Sequence, residues 1–125
     1  MNRLISAFSL LFIIFSCNQN SNCEAFLRID KNDECLMIVE NKDWGTSGNL
    51  AMDGRNPFTN EKCDCNEQNR WWANYRKEIN IGDTIIKRKG ELTFNIHKRD
   101  SIISHEWECD GKTYNIDGSI KNIEP

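Results

Sequence analysis

From Glu91 to Ile96 the chain alternates: Leu92, Phe94 and Ile96 fall on one side, Thr93 and Asn95 on the other. A period of two over that length specifies a strand with one buried face, and such strands pack as antiparallel neighbours with matching patterns. The neighbours are legible on both sides. Upstream, Ile79, Ile81, Gly82-Asp83 and then Thr84 to Arg88 read as a strand broken by a turn, with Lys89-Gly90 as a two-residue hairpin loop. Downstream, Ile102 to Cys109 forms the next strand, and Asp110-Gly111 marks a further hairpin before Lys112 to Ile116. The second half of the chain is therefore a meander. With loops at Lys89-Gly90 and Asp100-Ser101, one row runs Ile85, Phe94, Trp107; Leu92 then sits opposite Cys109 and Ile96 opposite His105.

The first half is less patterned. Phe26 to Ile29 and Leu36 to Val39 flank the turn formers Asp30-Lys31-Asn32-Asp33, which predicts a hairpin. Between Asn41 and Asn69 the chain is rich in Asn, Asp and Gly; Asn49 to Met52 supplies a short strand, and a loop holds Cys63 and Cys65. From Glu67 to Lys77 a short helix is expected, with Trp71 and Trp72 one turn before Tyr75. The expectation is a mainly β domain, a small antiparallel barrel or sandwich with one short helix.

At the start of the chain, Arg3 precedes an apolar run from Leu4 to Phe15 that stops at Ser16-Cys17. Twelve residues are too few to span a bilayer, and a basic residue ahead of such a run is the layout of a secretory signal. Ile14-Phe15-Ser16-Cys17 resembles the lipobox of bacterial lipoproteins, which implies cleavage before Cys17 and acylation of its thiol. Residues 1–16 are then a signal peptide, 17–23 a polar tether through Asn18-Gln19-Asn20-Ser21-Asn22, and 24–125 one β-rich domain. The mature chain of 109 residues is the size of a single core, carrying 15 basic and 19 acidic side chains for a net charge of −4. That balance disfavours nucleic acid as a partner.

Charge is unevenly spread. Residues 70–99 hold eight basic and three acidic side chains, concentrated in Lys87-Arg88-Lys89 and His97-Lys98-Arg99. Hairpin ends ordinarily carry solvated charge; read functionally, Lys87, Arg88, Lys89, Lys98 and Arg99 would dock on an anionic lipid headgroup, polysaccharide or acidic protein. Trp71 and Trp72, with Arg70 and Arg76 beside them, could stack on a sugar or other apolar ligand, against the alternative that the rings belong to the core.

Export favours disulfides, and with Cys17 assigned to lipid five cysteines remain: Cys23, Cys35, Cys63, Cys65 and Cys109. An odd number leaves one thiol over, and the preferred bridge joins Cys109 to Cys63 or Cys65. A zinc or copper site built from Cys63, Cys65, Cys109 and a histidine is disfavoured, because the spacing is C-x-C and the register sends His97 and His105 to opposite faces. Acids flanking Cys63-Asp64-Cys65 oppose a reactive thiol. Asp30 to Glu34 resembles the start of a calcium loop, but Cys35 and Asn41 stand where Gly and Glu are required. No residue set singles out a catalytic site, a metal or a cofactor.

The run Ile79-Asn80-Ile81-Gly82-Asp83-Thr84-Ile85-Ile86-Lys87-Arg88-Lys89-Gly90 resembles the I-x-x-G-D-[ST]-I-x-K-x-K-G strand pair of small cell-envelope lipoproteins of Bacteroidetes, with likeness from Trp44 to Tyr114. The resemblance implies an outer-membrane lipoprotein, and the lack of acidic residues after Cys17 implies an anchor facing the periplasm. A binding module is the expected role; it competes with a small thiol-redox or other envelope enzyme and with an immunity or inhibitor protein.

Overall fold

The computed structural model describes residues 22–43, 50–67 and 71–121. The leader, Cys17, most of the tether and Arg70 lie outside the described residues. In chain order the elements are α1 (Cys23–Asn32), β1 (Cys35–Asp43), β2 (Leu50–Arg55), β3 (Lys62–Glu67), a 3-10 helix (Trp72–Glu78), β4 (Thr84–Lys87), β5 (Thr93–His97), β6 (Ile102–Cys109) and β7 (Lys112–Tyr114). The seven strands form one antiparallel sheet in the order β3-β2-β1-β4-β5-β6-β7, so the C-terminal half is the expected meander. Among the described residues no helix is long and apolar enough to cross a membrane.

Two expectations for the first half are corrected. Residues 26–29 are not a strand but the middle of α1. Cys23, Leu27 and Asp30 recur at i, i+4 and i+7, and Glu24 pairs with Arg28 one turn on at 3.1 Å. Asp30 is not a turn former; its buried carboxylate accepts the Trp107 indole N–H at 2.7 Å. Cys63 and Cys65 lie on a strand, β3, rather than in a loop. The predicted short helix exists, as a 3-10 helix beginning at Trp72.

The sheet curls sharply between β1 and β2. The register jumps between Val39 and Asn41, leaving Glu40 as a bulge, and Gly54 faces Val39 at that point. A Cβ on Gly54 would lie 1.8 Å from the Ile38 carbonyl oxygen, so only glycine allows this approach. The curl brings β3 back over β1, two strands away, close enough for Cys65 to bond Cys35.

In the meander both registers are offset by two residues from those expected. Ile85 faces Ile96, and Phe94 faces His105 rather than Trp107. The β4–β5 connection is longer than two residues because its backbone is used elsewhere: Gly90 donates to the Lys31 carbonyl at 2.6 Å and Leu92 to that of Ile116 at 2.9 Å. The next loop centres on Arg99-Asp100, closed by Lys98 N–H to the Ser101 carbonyl at 2.8 Å. A slip of two keeps every side chain on its face. Leu92, Phe94, Ile96 and Trp107 are therefore all buried on the inner side with Met37, Val39, Leu50, Met52 and Ile85.

The inner face is covered by both helices. Phe94 lies 5.5 Å from the stacked ring of Trp72, 6.0 Å from Tyr75 and 6.1 Å from Trp71. Such pairs contribute roughly 0.5–1.5 kcal/mol each beyond the area they bury. Helix α1 is fixed to β6 by Asp30–Trp107 and by the Cys23–Cys109 disulfide.

Candidate functional site

The cysteines resolve into two disulfides, Cys23–Cys109 and Cys35–Cys65, and one free thiol, Cys63. One leftover thiol agrees with the odd count; the preferred bridge from Cys109 into the Cys63/Cys65 pair does not form, because α1 places Cys23 beside the end of β6. Cys63 donates to the Leu36 carbonyl at 3.6 Å, and its thiol is pushed up by burial and by the charges of Asp64 and Glu40. A thiol held in its protonated form is a poor nucleophile. With Cys65 and Cys109 consumed in disulfides, two of the three sulfur ligands of the metal reading are gone and Cys63 alone remains. His97 and His105 occupy opposite faces as expected, since His105 pairs with inward Phe94 and His97 with Thr84 on the outer side.

Trp71 and Trp72 are 6% and 2% exposed, so both rings are core and offer no stacking platform. The basic cluster is also divided. Lys87 is fully buried, and its ammonium donates to the carbonyls of Lys31 (3.1 Å), Asp33 (2.5 Å) and Arg88 (3.1 Å). It caps the C-terminal end of α1, where carbonyls lack partners and the helix dipole favours a cation. Burial lowers its pKa to about 8, against the opposing pull of Asp33 and other carboxylates. Lys98 pairs with the Asp83 carboxylate and donates to the Glu78 carbonyl. Among the described contact residues only Arg88, Lys89 and Arg99 are exposed, and they stand at opposite ends of β5, about 17 Å of strand apart.

Six of the eight fixed residues of the strand-pair motif have a structural task; Thr84 and the exposed Lys89 do not. Ile79 and Ile85 are fully buried. Gly82, at φ +96°, donates to the Val39 carbonyl at 2.8 Å, and the Asp83 carboxylate accepts the Asn80 N–H at 2.7 Å. Lys87 caps α1, and Gly90, at φ +88°, bonds the same helix end.

A second polar group gathers where the 3-10 helix ends. Lys42 donates to the carbonyls of Arg76 and Ile79, and Lys98 to that of Glu78, so two ammonium groups satisfy the helix end. Burial and the nearby Lys98 charge lower the Lys42 pKa, while Asp83 opposes the shift. Alongside, His105 stacks on Tyr75 with centroids 3.6 Å apart, and its Nε2 lies 2.5 Å from the Glu78 carboxylate. A carboxylate-oriented imidazole could move a proton, but among the described residues no Ser or Cys is bonded to it. A hollow of about 540 Å³ is bounded by Asn41, Lys42, Ala51, Met52, Asp53, Asp64 and Ile81; Asn41 donates to Asp53 there at 2.7 Å.

The surface that stands out is the outer side of the sheet, which no described element covers. Strand pairing aligns one row of outward side chains across six strands: Lys62, Arg55, Ile38, Thr84, His97, Ile102. A shorter row is Leu36, Ile86, Asn95, Ser104, in which Ser104 donates to Asn95 at 2.6 Å and Asn95 to the Ile86 carbonyl at 3.3 Å. From β1 to β6 the long row crosses three strand spacings, about 14 Å, before the sheet curls through β2 and β3. Ile38 and Ile102 are 38% and 59% exposed within it, so aliphatic groups are interspersed with hydrogen-bonding ones on an uncovered face. Sequence reasoning misses this face because charge density does not mark it; outward parity in the strands is the signal that could find it.

No family model, no curated protein and no solved structure matches this chain.

Proposed function

We infer that this chain is a lipid-anchored protein of the cell envelope whose body is a binding module, presenting the outer face of its sheet to a polypeptide partner. The leader and Cys17 support the location, with an outer-membrane anchor facing the periplasm. One observation carries the binding role: a two-row face of aliphatic and hydrogen-bonding side chains, uncovered by any described element, whose make-up suits a protein surface better than a small ligand. Against a thiol-redox enzyme stands Cys63, whose burial and acidic neighbours hold it protonated. An inhibitor of another envelope enzyme would use the same face, and the identity of the captured partner separates that role from other binding.

The test is capture from envelope extract with the mature chain. Thr84→Arg with Asn95→Arg places two bulky cations in the centre of the face, while Arg88→Glu with Lys89→Glu changes the exposed basic tip. Loss of the wild-type partner with the first pair and retention with the second is the expected result. The reverse pattern would reject the sheet face and return binding to the basic tip.

A further inference from the structure

Helix α1 has three kinds of side. Cys23, Leu27 and Asp30 face the sheet, Glu24, Arg28 and Lys31 share one flank, and Phe26 and Ile29 share the other. Phe26 is 46% and Ile29 47% exposed, although they lie within one turn of each other in the first element of the body. The packing of the domain gives no reason for two large apolar side chains there.

Their position supplies one. The Cys23–Cys109 disulfide fixes the start of α1 to the end of β6, three residues beyond Glu106, the partner of Thr93. That end of the sheet also carries the β4–β5 turn, where Gly90 bonds Lys31. The N-terminal described residues therefore lie at this end, and α1 runs along it. From Cys17 to Cys23 there are six residue steps, which span at most about 21 Å fully extended.

We propose that the Phe26/Ile29 flank of α1 is the membrane-contacting surface of this protein, resting on the lipid surface to which Cys17 is attached. The proposal depends on the lipid anchor argued above for its occupant. A short tether keeps α1 at the bilayer surface, where an apolar flank enters the headgroup and acyl boundary by about 5–10 Å. The disulfide sets the orientation: the α1 end faces the lipid and the far end of the strands faces away. Ile102, at the start of β6, lies about 23 Å of strand from Cys109 and is equally available as an exposed apolar position.

Two measurements test this separately from the anchor. The chain from Asn18 onward, with a hexahistidine sequence in place of Cys17, is docked on nickel-chelating vesicles of phosphatidylethanolamine and phosphatidylglycerol, so that attachment no longer depends on acylation. Phe26→Trp and Ile102→Trp are compared with the unsubstituted chain on lipids brominated near the headgroup. The added emission at position 26 should be quenched, as expected for interfacial depth, and that at position 102 should be unchanged. Equal quenching at the two positions, or none at either, overturns the proposal, including the case in which another protein or a second copy covers this flank. The mass of the native N-terminal peptide tests the anchor alone; an unacylated Cys17 would remove that reading, while the quenching contrast still decides whether the helix flank meets lipid.

Discussion

Replacing Lys87 with methionine should remove a pH dependence of stability above neutral pH while changing stability at neutral pH only modestly. Of the three carbonyls that Lys87 holds, Lys31 O also accepts from Gly90 and Arg88 O from Glu91, so removal of the ammonium strands chiefly the Asp33 carbonyl. One unsatisfied carbonyl costs about 1–3 kcal/mol, offset in part because a buried charge has also been removed. At pH 7 the variant should therefore lie within about 2 kcal/mol of wild type. The pH dependence is sharper. Lys87 has a folded pKa lowered from 10.5 to about 8, so between these values the unfolded chain binds more protons than the folded one. Wild-type stability then rises with pH through that window as the folded-state cost of the charge is relieved. Linkage with these pKa values makes the rise about 2–3 kcal/mol between pH 7 and pH 10. Lys42, shifted in the same direction, and Cys63, whose raised pKa has the opposite sign and removes stability above its ordinary value, act in both proteins and cancel in the difference. Urea unfolding of wild type and Lys87→Met at several pH values, disulfides intact, reads that difference directly. Parallel curves across the window would refute the buried, helix-capping lysine.

Gly54→Ala should prevent the curl of β2 over β1, since its Cβ would fall on the Ile38 carbonyl; a loss of more than about 4 kcal/mol is expected, with a failure to form Cys35–Cys65 in the peptide map. Trp107→Phe keeps an aromatic ring, though a smaller one, and leaves the buried Asp30 carboxylate without its indole donor; the thermal midpoint should report a loss of about 1.5–3 kcal/mol. Cys63 should react slowly with iodoacetamide at neutral pH and faster above its ordinary thiol range, and Cys63→Ser should leave both disulfides in place; rapid labelling at pH 7 would restore the redox reading.

The strands of the C-terminal half are legible in the sequence because alternation at Leu92, Phe94 and Ile96 reports burial directly, and the two-residue offset in pairing leaves that burial untouched. Loop lengths are not legible, since they depend on backbone bonds from Gly90 and Leu92 to segments distant in the chain. Helix α1 reads as a strand because Asp30 and Asp33 look like turn formers, whereas Asp30 is a buried helical residue bonded to the distant Trp107. Lys87 reads as surface charge even though it shares parity with Ile85; in a strand, parity outweighs residue type when a partner such as a helix end is at hand. Gly54, within a strand, carries the usual warning of a bulge or close approach. The division of the basic cluster follows from burial that charge counting does not register.

An exported body held by lipid at Cys17 and closed by two specific disulfides is the central claim, and mass spectrometry of the protein purified unreduced from its native membrane tests it most directly. The expected result is an N-terminal peptide that begins at Cys17 and carries acyl chains, linked peptides joining Cys23 to Cys109 and Cys35 to Cys65, and Cys63 recovered as a free thiol. A chain that retains Met1 and the leader, or in which Cys63 takes part in a disulfide, would contradict it.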